Sequence, residues 1–524
     1  MRRDDLPRIR NGGSLPRRVL PMISPTRFRE TLLRAVEEGG RVAALFGHRP
    51  GAFVELIAVL ADDRDGTLAL VGTSIESAIQ PTFMSMTSRM PEVHLFEREI
   101  AEQLGVEPTA HPWLKPVRFH EPLDGPTVSV SGPGPDPRAG LFRFGRAPDE
   151  RPLIGVTDFY RVEGDDIHEV AVGPVHAGII EPGHFRFQCH GEDVFHLEIS
   201  LGYAHRGVER ALVGGPDKRS LHYAETLCGD TTIGHTLAFA HLVEALGQTF
   251  VPARAQVLRG IALELERLAN HTGDLGALAG DVGFLPTASF CGRIRGDFLN
   301  LTAALCGNRF GRGLIRPGGL GFDVDTAAIP ELVARLRAAA KDVATAVALL
   351  WDAPSVMARF QDTGLLARTL CEQLGLVGPA ARASGVERDV RKDFALGIYR
   401  FAHIPTATWQ SGDVFARAYV RWLEIEHSLA FIEEQLDSLP SGPVRVTPGP
   451  LRPDHLAVSL VEGWRGELCH VALTDADGRF ARYKVVDPSF HNWTGLALAL
   501  RDQQISDFPL CNKSFNLSYC GFDL

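Results

Sequence analysis

The chain has 524 residues, of which 45% are hydrophobic and 23% are charged, the usual balance of a soluble globular protein with two to four domains. This composition excludes a disordered, collagen-like or coiled-coil protein, and the net charge of −10 argues against a nucleic-acid-binding surface. Eight cysteines are too few for a disulfide scaffold in so long a chain, but they suffice for one metal site.

The N-terminal segment is basic, but it lacks the apolar stretch that a signal peptide needs. We therefore interpret Arg17 and Arg18 as part of a solvated tail. No window approaches the roughly 18 consecutive apolar residues of a membrane span. These patterns predict a cytoplasmic protein with reduced thiols and no transmembrane segment of its own.

Residues 25–120 predict a small α/β domain. An amphipathic helix is expected from Pro25 onward, and the apolar runs 42–46 and 68–71 are typical of strands. The segment FVELIAVL between these two runs has a helix-like pattern. A further helix is predicted over 94–105, where Gly105 is suited to the C-cap.

A Pro/Gly-rich stretch, residues 121–152, cannot hold a regular element for long and is interpreted as a linker. Residues 153–524 then predict a large, mainly helical domain, a helical bundle with flanking antiparallel strands. Its long helices are expected to begin after Pro252 and to cover 329–350 and 414–439, and a hairpin should turn near Trp464, Arg465 and Gly466. The expected fold class is α+β.

Common cofactor motifs do not occur in the sequence. It has no phosphate-binding loop, no dinucleotide fingerprint, no HExxH and no CxxC. The usual zinc, iron–sulfur and thioredoxin sites are therefore not expected from this chain alone.

Several segments, in a fixed order, carry a family resemblance. Residues 96–119 resemble the small peripheral-arm subunit of respiratory complex I. The later segments resemble its quinone-site partner subunit and, more closely, the large subunit of group 4 membrane-bound nickel–iron hydrogenases such as formate hydrogenlyase. These later segments are GPVHAGIIEPGHFRF (173–187), GYAHRGVER (202–210), RAQVLRGIALELERLANH (254–271), ARASGVERDVRKD (381–393) and ISDFPL (505–510).

The resemblance implies four metal-ligand positions, which the family's hydrogenases fill with two Cys-x-x-Cys pairs, because soft thiolates hold and bridge nickel and iron. In this chain those positions carry Cys228, Thr231, Ser518 and Gly521. Cys228 is the one retained ligand position. The sequence also ends at Leu524, without the extension that hydrogenase maturation removes. We therefore expect no metal in this chain and no nickel–iron centre, as in the hydrogenase-related complexes that have lost the nickel ligands.

The other cysteines leave one metal hypothesis open. Cys228, Cys511 and Cys520 can meet in the family fold and, with His235, bind a different metal. The alternative is that these thiols are small buried apolar groups. The remaining cysteines, which are scattered along the chain, are interpreted as core residues: Cys189, Cys291, Cys306, Cys371 and Cys469.

Polar residues of the matching segments supply further candidates. Glu181 corresponds to a family acid near the active-site cavity, suited to proton relay if partly buried. His176 and His184 flank it in a loop that approaches the quinone in the complex I relative; the alternative is that they bond only to backbone groups. Arg206 and Glu209 resemble a charged pair beneath the metal site.

One helix carries Glu264, Glu266, Arg267 and His271, which form either a buried charge network or exposed pairs on the helix surface. The charged loop that follows is expected to line the cavity, face a partner or lie in solvent; it contains Arg382, Arg388, Asp389, Arg391 and Asp393. The apolar C-terminal segment is expected to be buried in the former ligand region.

The expected catalytic residues are His176, Glu181, Arg206, Cys228 and His235. The expected cofactor- or acceptor-binding residues are His184, Asp230, Thr231, Arg267, His271, Ser518 and Tyr519.

The resemblance implies the large peripheral-arm subunit of a membrane-associated oxidoreductase complex, bound to the inner face of the cell membrane through its partners. Those partners are an iron–sulfur small subunit with 4Fe–4S clusters and antiporter-like and other membrane-arm subunits. Electrons would pass from the partner's cluster to a quinone or another small acceptor, coupled to ion translocation. The alternatives are a non-catalytic coupling subunit and an active nickel–iron hydrogenase.

Overall fold

The computed structural model describes residues 5–77, 81–119, 154–155, 157–178 and 180–524. The strands are β1 (Arg8–Arg10), β2 (Gly13–Pro16), β3 (Met22–Ile23), β4 (Arg41–His48), β5 (Phe53–Asp62), β6 (Thr67–Glu76), β7 (Thr82–Met84), β8 (Glu107–Thr109), β9 (Ile167–Val172), β10 (His184–His190), β11 (Asp193–Ser200), β12 (Ile315–Arg316), β13 (Gly319–Leu320), β14 (His455–Gly463), β15 (Gly466–Thr474) and β16 (Phe480–Val486). The helices are α1 (Pro25–Glu37), α2 (His94–Leu104), α3 (Val208–Leu212), α4 (Ser220–Thr226), α5 (Thr232–Leu246), α6 (Ala253–Asp281), α7 (Leu285–Cys306), α8 (Ile329–Trp351), α9 (Pro354–Phe360), α10 (Arg368–Gln373), α11 (Gly378–Arg382), α12 (Val390–Asp393), α13 (Val414–Asp437), α14 (Pro488–Ala499), α15 (Phe508–Phe515) and α16 (Tyr519–Asp523). Helices mixed with mainly antiparallel strands agree with the predicted α+β class. The predicted linker, residues 121–152, lies outside the described residues.

The N-terminal sheet corrects one prediction. Its strand order is β1-β6-β5-β4, with β3 parallel to β6. The segment FVELIAVL is strand β5, not a helix, and it pairs antiparallel with β4 on one side and β6 on the other. A short, continuous apolar run gives no period that separates a buried helix from a buried strand, and its β-branched Val54, Ile57 and Val59 favour the strand.

The long helices of the second half follow the predicted pattern. α6 begins directly after Pro252, and α8 and α13 lie within two residues of the predicted bounds. α2 ends at Leu104, and its C-cap residue Gly105 has a φ of 65°, the left-handed conformation expected there. α6 packs against α7 and α13, which places the charged residues of α6 between helices.

Residues 5–24 are part of the fold, so the interpretation of Arg17 and Arg18 as part of a solvated tail is wrong. Strand β2 adds to the C-terminal sheet, which has the order β16-β15-β14-β2. Leu15 of β2 is buried, and Arg17 forms an ion pair with Glu55 on β5. The hairpin β14–β15 turns at Trp464 and Arg465, as predicted.

Two large groups of buried residues hold the structure together. One draws on residues 6–117, 185–201, 366–394 and 456–522, and the other lies among α5–α9 and α13. The division into domains at 25–120 and 153–524 stays a prediction. Within the described residues no single helix is long and apolar enough to cross a membrane; one bent pair, Thr326–Trp351 with Pro354–Phe360, passes on length and composition only.

Candidate functional site

Cys228 and the C-terminal segment meet in one small polar cluster. Cys228 Sγ lies 2.9 Å from Asp230 Oδ1 and 3.1 Å from Ser518 Oγ. Ser518 Oγ lies 3.4 Å from Cys520 Sγ and also accepts from the backbone N–H of Gly521, which caps α16. The fold therefore gathers the sequence positions 228, 518 and 521, although 290 residues separate the first two.

Arg465 completes this cluster from the turn of the β14–β15 hairpin. Its guanidinium donates two bonds to the Asp230 carboxylate, at 2.6 and 2.8 Å, and lies 3.4 Å from Cys228 Sγ. It also stacks over the Trp464 ring at 3.9 Å. Burial opposes ionisation of Asp230, but the Arg465 charge outweighs it and lowers the pKa of this carboxyl to about 2. The pair is therefore ionised at neutral pH.

The thiol of Cys228 is held in its protonated form. Its hydrogen bond to Cys520 and its burial raise its pKa well above the ordinary value, and the same bond lowers the pKa of the Cys520 thiol. The neutral thiol can donate a hydrogen bond, and its shortest contact is the one to Asp230 Oδ1.

The four implied ligand positions do not offer the donor set of a nickel–iron centre. Thr231 Oγ1 lies 3.4 Å from Asp230 Oδ1, so a hydroxyl and a carboxylate fill the space beside Cys228. At Gly521 a β carbon would lie 2.7 Å from the carboxylate of Asp487, too close for any side chain without displacement. One thiol, two hydroxyls and a glycine replace four soft thiolates, and they do not fit that centre.

The hypothesis of a different metal receives no support from the geometry. In the part of the chain that the structure describes, no group of three or more His, Cys, Asp or Glu side chains can hold a metal ion. Cys511 packs instead against Gly364 and Arg417. His235 uses both ring nitrogens, at 3.1 Å from Asp487 Oδ2 and 3.0 Å from His470 Nε2. The five cysteines interpreted as core residues are all buried, as predicted.

His235 belongs to a buried polar chain under the cluster. His470 continues from His235 to the hydroxyl of Tyr483, at 2.8 Å, and all three side chains are buried. At the other end, Asp487 accepts from Ser489 N, and Ser489 Oγ accepts from Ser518 N. The chain of hydrogen bonds therefore runs from Ser518 to Tyr483.

The loop before β10 places Glu181 at the edge of the cluster. Glu181 Oε2 accepts from Cys520 N at 3.3 Å, and the residue is exposed, so the partial burial named as a condition for proton relay is not met in the chain alone. His176 Nε2 bonds to Gly183 O, which matches the alternative in which it satisfies a backbone group. His184 Nδ1 bonds to Gly173 O, but its Nε2 also accepts from Arg186 Nε at 3.2 Å, so the alternative holds for His184 only in part. Of these three residues, Glu181 alone contacts the cluster directly.

Arg206 and Glu209 do not form the predicted pair. Arg206 is exposed and donates to the carbonyls of Thr226 and Leu227, just before Cys228. Glu209 is buried and pairs with Lys484 and Arg482 on β16. The prediction followed the family resemblance, whereas in this structure β16 supplies both cations that pair with Glu209.

The charged residues of α6 form a buried network, as predicted, and not an exposed set. Glu424 on α13 accepts from Arg267, Arg382 and His271 at 2.6–3.0 Å, and all four side chains are fully buried. Burial alone would raise the pKa of Glu424, but these partners, Arg382 first, hold it well below its ordinary value. Arg267 and His271 therefore belong to a structural network beside the cluster.

The charged loop that follows α11 joins the same network. Arg391 pairs with Glu264 and Asp389, and Arg388 pairs with Asp63, which directly follows strand β5. The expectation of a loop in solvent is wrong for these residues. As predicted, the C-terminal segment is buried: Tyr519 packs its ring 4.9 Å from that of Trp493, centroid to centroid.

Sequence reasoning missed the residues that complete the cluster from a distance. Arg465 was visible only as part of a turn, and His470 and Tyr483 only as strand residues. Asp487 carries a usable signal, because an aspartate before Pro488 is typical of a helix N-cap. Nothing in the sequence indicated that its second oxygen would bind His235.

Known proteins resemble this chain along most of its length. The family model "Respiratory-chain NADH dehydrogenase, 49 Kd subunit" matches residues 281–452. The carbon monoxide-induced hydrogenase of Rhodospirillum rubrum is 31% identical over 350 residues, 67% of this chain and 97% of the relative. Formate hydrogenlyase subunit 5 of Escherichia coli is 28% identical over 496 residues, which cover 93% of this chain and 85% of the relative. NADH-quinone oxidoreductase subunit 4 of Thermus thermophilus is 30% identical over 386 residues, which cover 68% of this chain and 94% of the relative.

Proposed function

Because the chain belongs to the superfamily of group 4 hydrogenase and complex I large subunits, we propose that it is the large peripheral-arm subunit of a membrane-associated, complex I-like oxidoreductase complex. In this role it takes electrons from an iron–sulfur cluster of a partner subunit and passes them to a quinone or another small acceptor. The complex couples this reaction to ion translocation through membrane-arm subunits.

We propose further that the chain holds no nickel–iron centre. The observation that carries this is the donor set at Cys228, where the four ligand positions offer one thiol, two hydroxyls and a glycine that has no space for a side chain beside Asp487. Since bridging of nickel and iron requires several thiolates, a site with one thiol supports a different use of the same scaffold.

The residues at the cluster are suited to proton handling. Reduction of a quinone to a quinol takes up two electrons and two protons, so the site needs a path from solvent. Glu181 is exposed and contacts Cys520, whose thiol in turn bonds to Cys228. Arg465 and Asp230 hold this arrangement in place. Glu181 is thus proposed as the group that delivers protons, with the thiols and Ser518 lining the inner end of the path.

Metal analysis and acceptor assays of the purified complex test both parts. We expect well under 0.1 nickel per chain and acceptor-dependent oxidation of a low-potential donor. Glu181→Gln should lower that turnover by about 100-fold, the typical effect of losing an acid–base group. Glu192→Gln is the matched control, because Glu192 is also exposed but lies in the turn between β10 and β11. It should leave the turnover unchanged.

Three results would contradict the proposal. About one nickel per chain with hydrogen-dependent activity would identify a working hydrogenase. Absence of turnover with every quinone and acceptor, in a complex that assembles, would favour the non-catalytic coupling subunit. Equal turnover of the Glu181→Gln complex would remove Glu181 from the proton path.

A further inference from the structure

A cavity lies where α2, β11 and α14 meet, with Trp493 in its wall. Its volume is about 110 Å³. Most of its wall is apolar, with Leu95, Val117, Leu197 and Phe522 among the lining side chains. Trp113 and Arg501 are exposed residues of the same wall, so one side of the cavity lies at the surface.

Four buried polar atoms in this wall lack a hydrogen-bond partner among the described residues. They are Thr157 Oγ1, His196 Nε2, Ser200 Oγ and Trp493 Nε1. Each such atom costs about 1–3 kcal/mol when it is left unsatisfied, so folded proteins rarely keep several together. The indole N–H of Trp493 can only donate, and its acceptor is therefore an atom outside the described residues.

The charges around the cavity favour an anion. Arg98, Lys115 and Arg501 line the cavity with one carboxylate, Glu198, whose Oε1 accepts from Lys115 Nζ at 2.7 Å. Glu102, which is not a lining residue, also acts on the charge of Arg98. His94 adds no positive charge, because burial lowers its pKa to about 3. The cations exceed the carboxylates by two, in a wall that is otherwise mostly apolar.

We propose that this cavity binds a small organic monocarboxylate. The carboxylate oxygens would accept from the Trp493 indole and the Ser200 hydroxyl, and the hydrocarbon part would lie against Leu95 and Leu197. Because a cavity of about 150 Å³ accepts the six carbon atoms of benzene, 110 Å³ encloses about four or five non-hydrogen atoms, and the open side beside Trp113 leaves space for the end of a six-atom ligand. Apolar walls disfavour inorganic phosphate, which would lose its hydration without compensation.

Butyrate, with six non-hydrogen atoms, is the probe, and its amide is the matched neutral compound. Calorimetric titration of the full chain, alone or within its purified complex, should give a Kd of about 1 mM or below for butyrate. Trp493→Phe keeps the ring and removes the donor, and Ser200→Ala removes one hydroxyl. Each should weaken binding by about ten-fold, the effect of one hydrogen bond to a charged group.

Trp351→Phe is the control, because Trp351 also carries a buried, unpartnered indole nitrogen but packs against Phe415 and Tyr419, away from the cavity. It should leave butyrate binding unchanged. A crystal soaked with 3-bromopropionate should show the bromine signal beside Trp493.

Each of several outcomes would overturn the proposal. Butyrate can fail to bind the wild-type chain, butyramide or inorganic phosphate can bind as well as butyrate, or Trp493→Phe can bind butyrate unchanged. Because none of these measurements depends on electron transfer, their result is independent of the proposed redox role.

Discussion

Glu266 shows how one buried carboxyl group caps a helix to which it does not belong. Its two oxygens accept from the backbone N–H groups of Ile233 and Gly234, at 2.7 and 3.2 Å, in the first turn of α5. Thr231, the residue at the N-cap, makes no side-chain cap of its own. Burial nevertheless raises the pKa of Glu266 to about 8.

This raised pKa predicts a specific pH dependence. The folded protein keeps the Glu266 proton up to about pH 8, whereas the unfolded chain releases it near its ordinary pKa of 4.5. The stability from this group is therefore complete below about pH 4.5 and is lost as the pH rises through 8. Since Glu266→Gln cannot titrate, the unfolding midpoint of the wild type should fall relative to that of the variant between pH 6 and 9.

Thermal unfolding of both proteins at pH 6, 7.5 and 9 measures this difference. Glu331→Gln, a change at an exposed residue of α8, is the control and should give a constant difference from wild type. A constant difference for Glu266→Gln as well would show that Glu266 is ionised throughout this range.

Single residues also mark the limit of what the sequence predicts. Cys228 stood out because its motif retains one ligand position, and the structure does place it against Ser518. Arg465 and Asp487 did not stand out, since their partners lie 235 and 252 residues away. Local patterns identify residues that interact within a few turns, whereas these contacts depend on how distant elements pack.

At the level of elements, α6 and α13 are joined by charge as well as by apolar packing. Glu424 of α13 is bonded to two arginines and one histidine, and it has no contact with water. Removal of one member of such a buried set leaves the others uncompensated, which costs much more than loss of an exposed pair.

Glu424→Gln should therefore destabilise the protein by about 3–5 kcal/mol. The measurement is the free energy of unfolding in urea, or the shift in thermal midpoint where unfolding is irreversible. Glu433→Gln is a control on the same helix, because Glu433 pairs with Arg337 at the surface and little change is expected. Equal effects of the two substitutions would contradict the importance of burial here.

The same helices were predictable because a period of 3.6 residues persists over more than 20 positions in each. Strand β5 was not, because ten residues of nearly continuous apolar character fit either element. Its identity depends on β4 and β6, which form hydrogen bonds along both of its edges. Length of the repeating pattern thus separates the elements that the sequence predicts from those it does not.

At the level of the whole molecule, the N-terminal residues join elements from the far end of the chain. The Asn11 amide donates to Phe394 O and Leu460 O, and its carbonyl accepts from Leu460 N. Asn11→Ala would leave these three backbone groups unpaired in the interior. We expect a loss of about 2–4 kcal/mol, seen as a lower unfolding midpoint.

Asn300→Ala, at an exposed position of α7, is the matched control and should leave the midpoint nearly unchanged. If Asn11→Ala also leaves it unchanged, the N-terminal segment does not stabilise the C-terminal sheet. The sequence offered no signal for this connection, since the basic N-terminus has the composition of a free tail.

The pairing of β2 with β14 also sets an order of events during synthesis. The two strands lie about 440 residues apart in the sequence. Among the described strands, β14 is the one with which β2 pairs in the C-terminal sheet. At a translation rate of about 5–20 residues per second, β2 waits roughly 20–90 s on the ribosome for its partner. During that interval β2 lacks the strand with which it pairs in the folded protein, so the C-terminal sheet can be completed only after β14 has been synthesised.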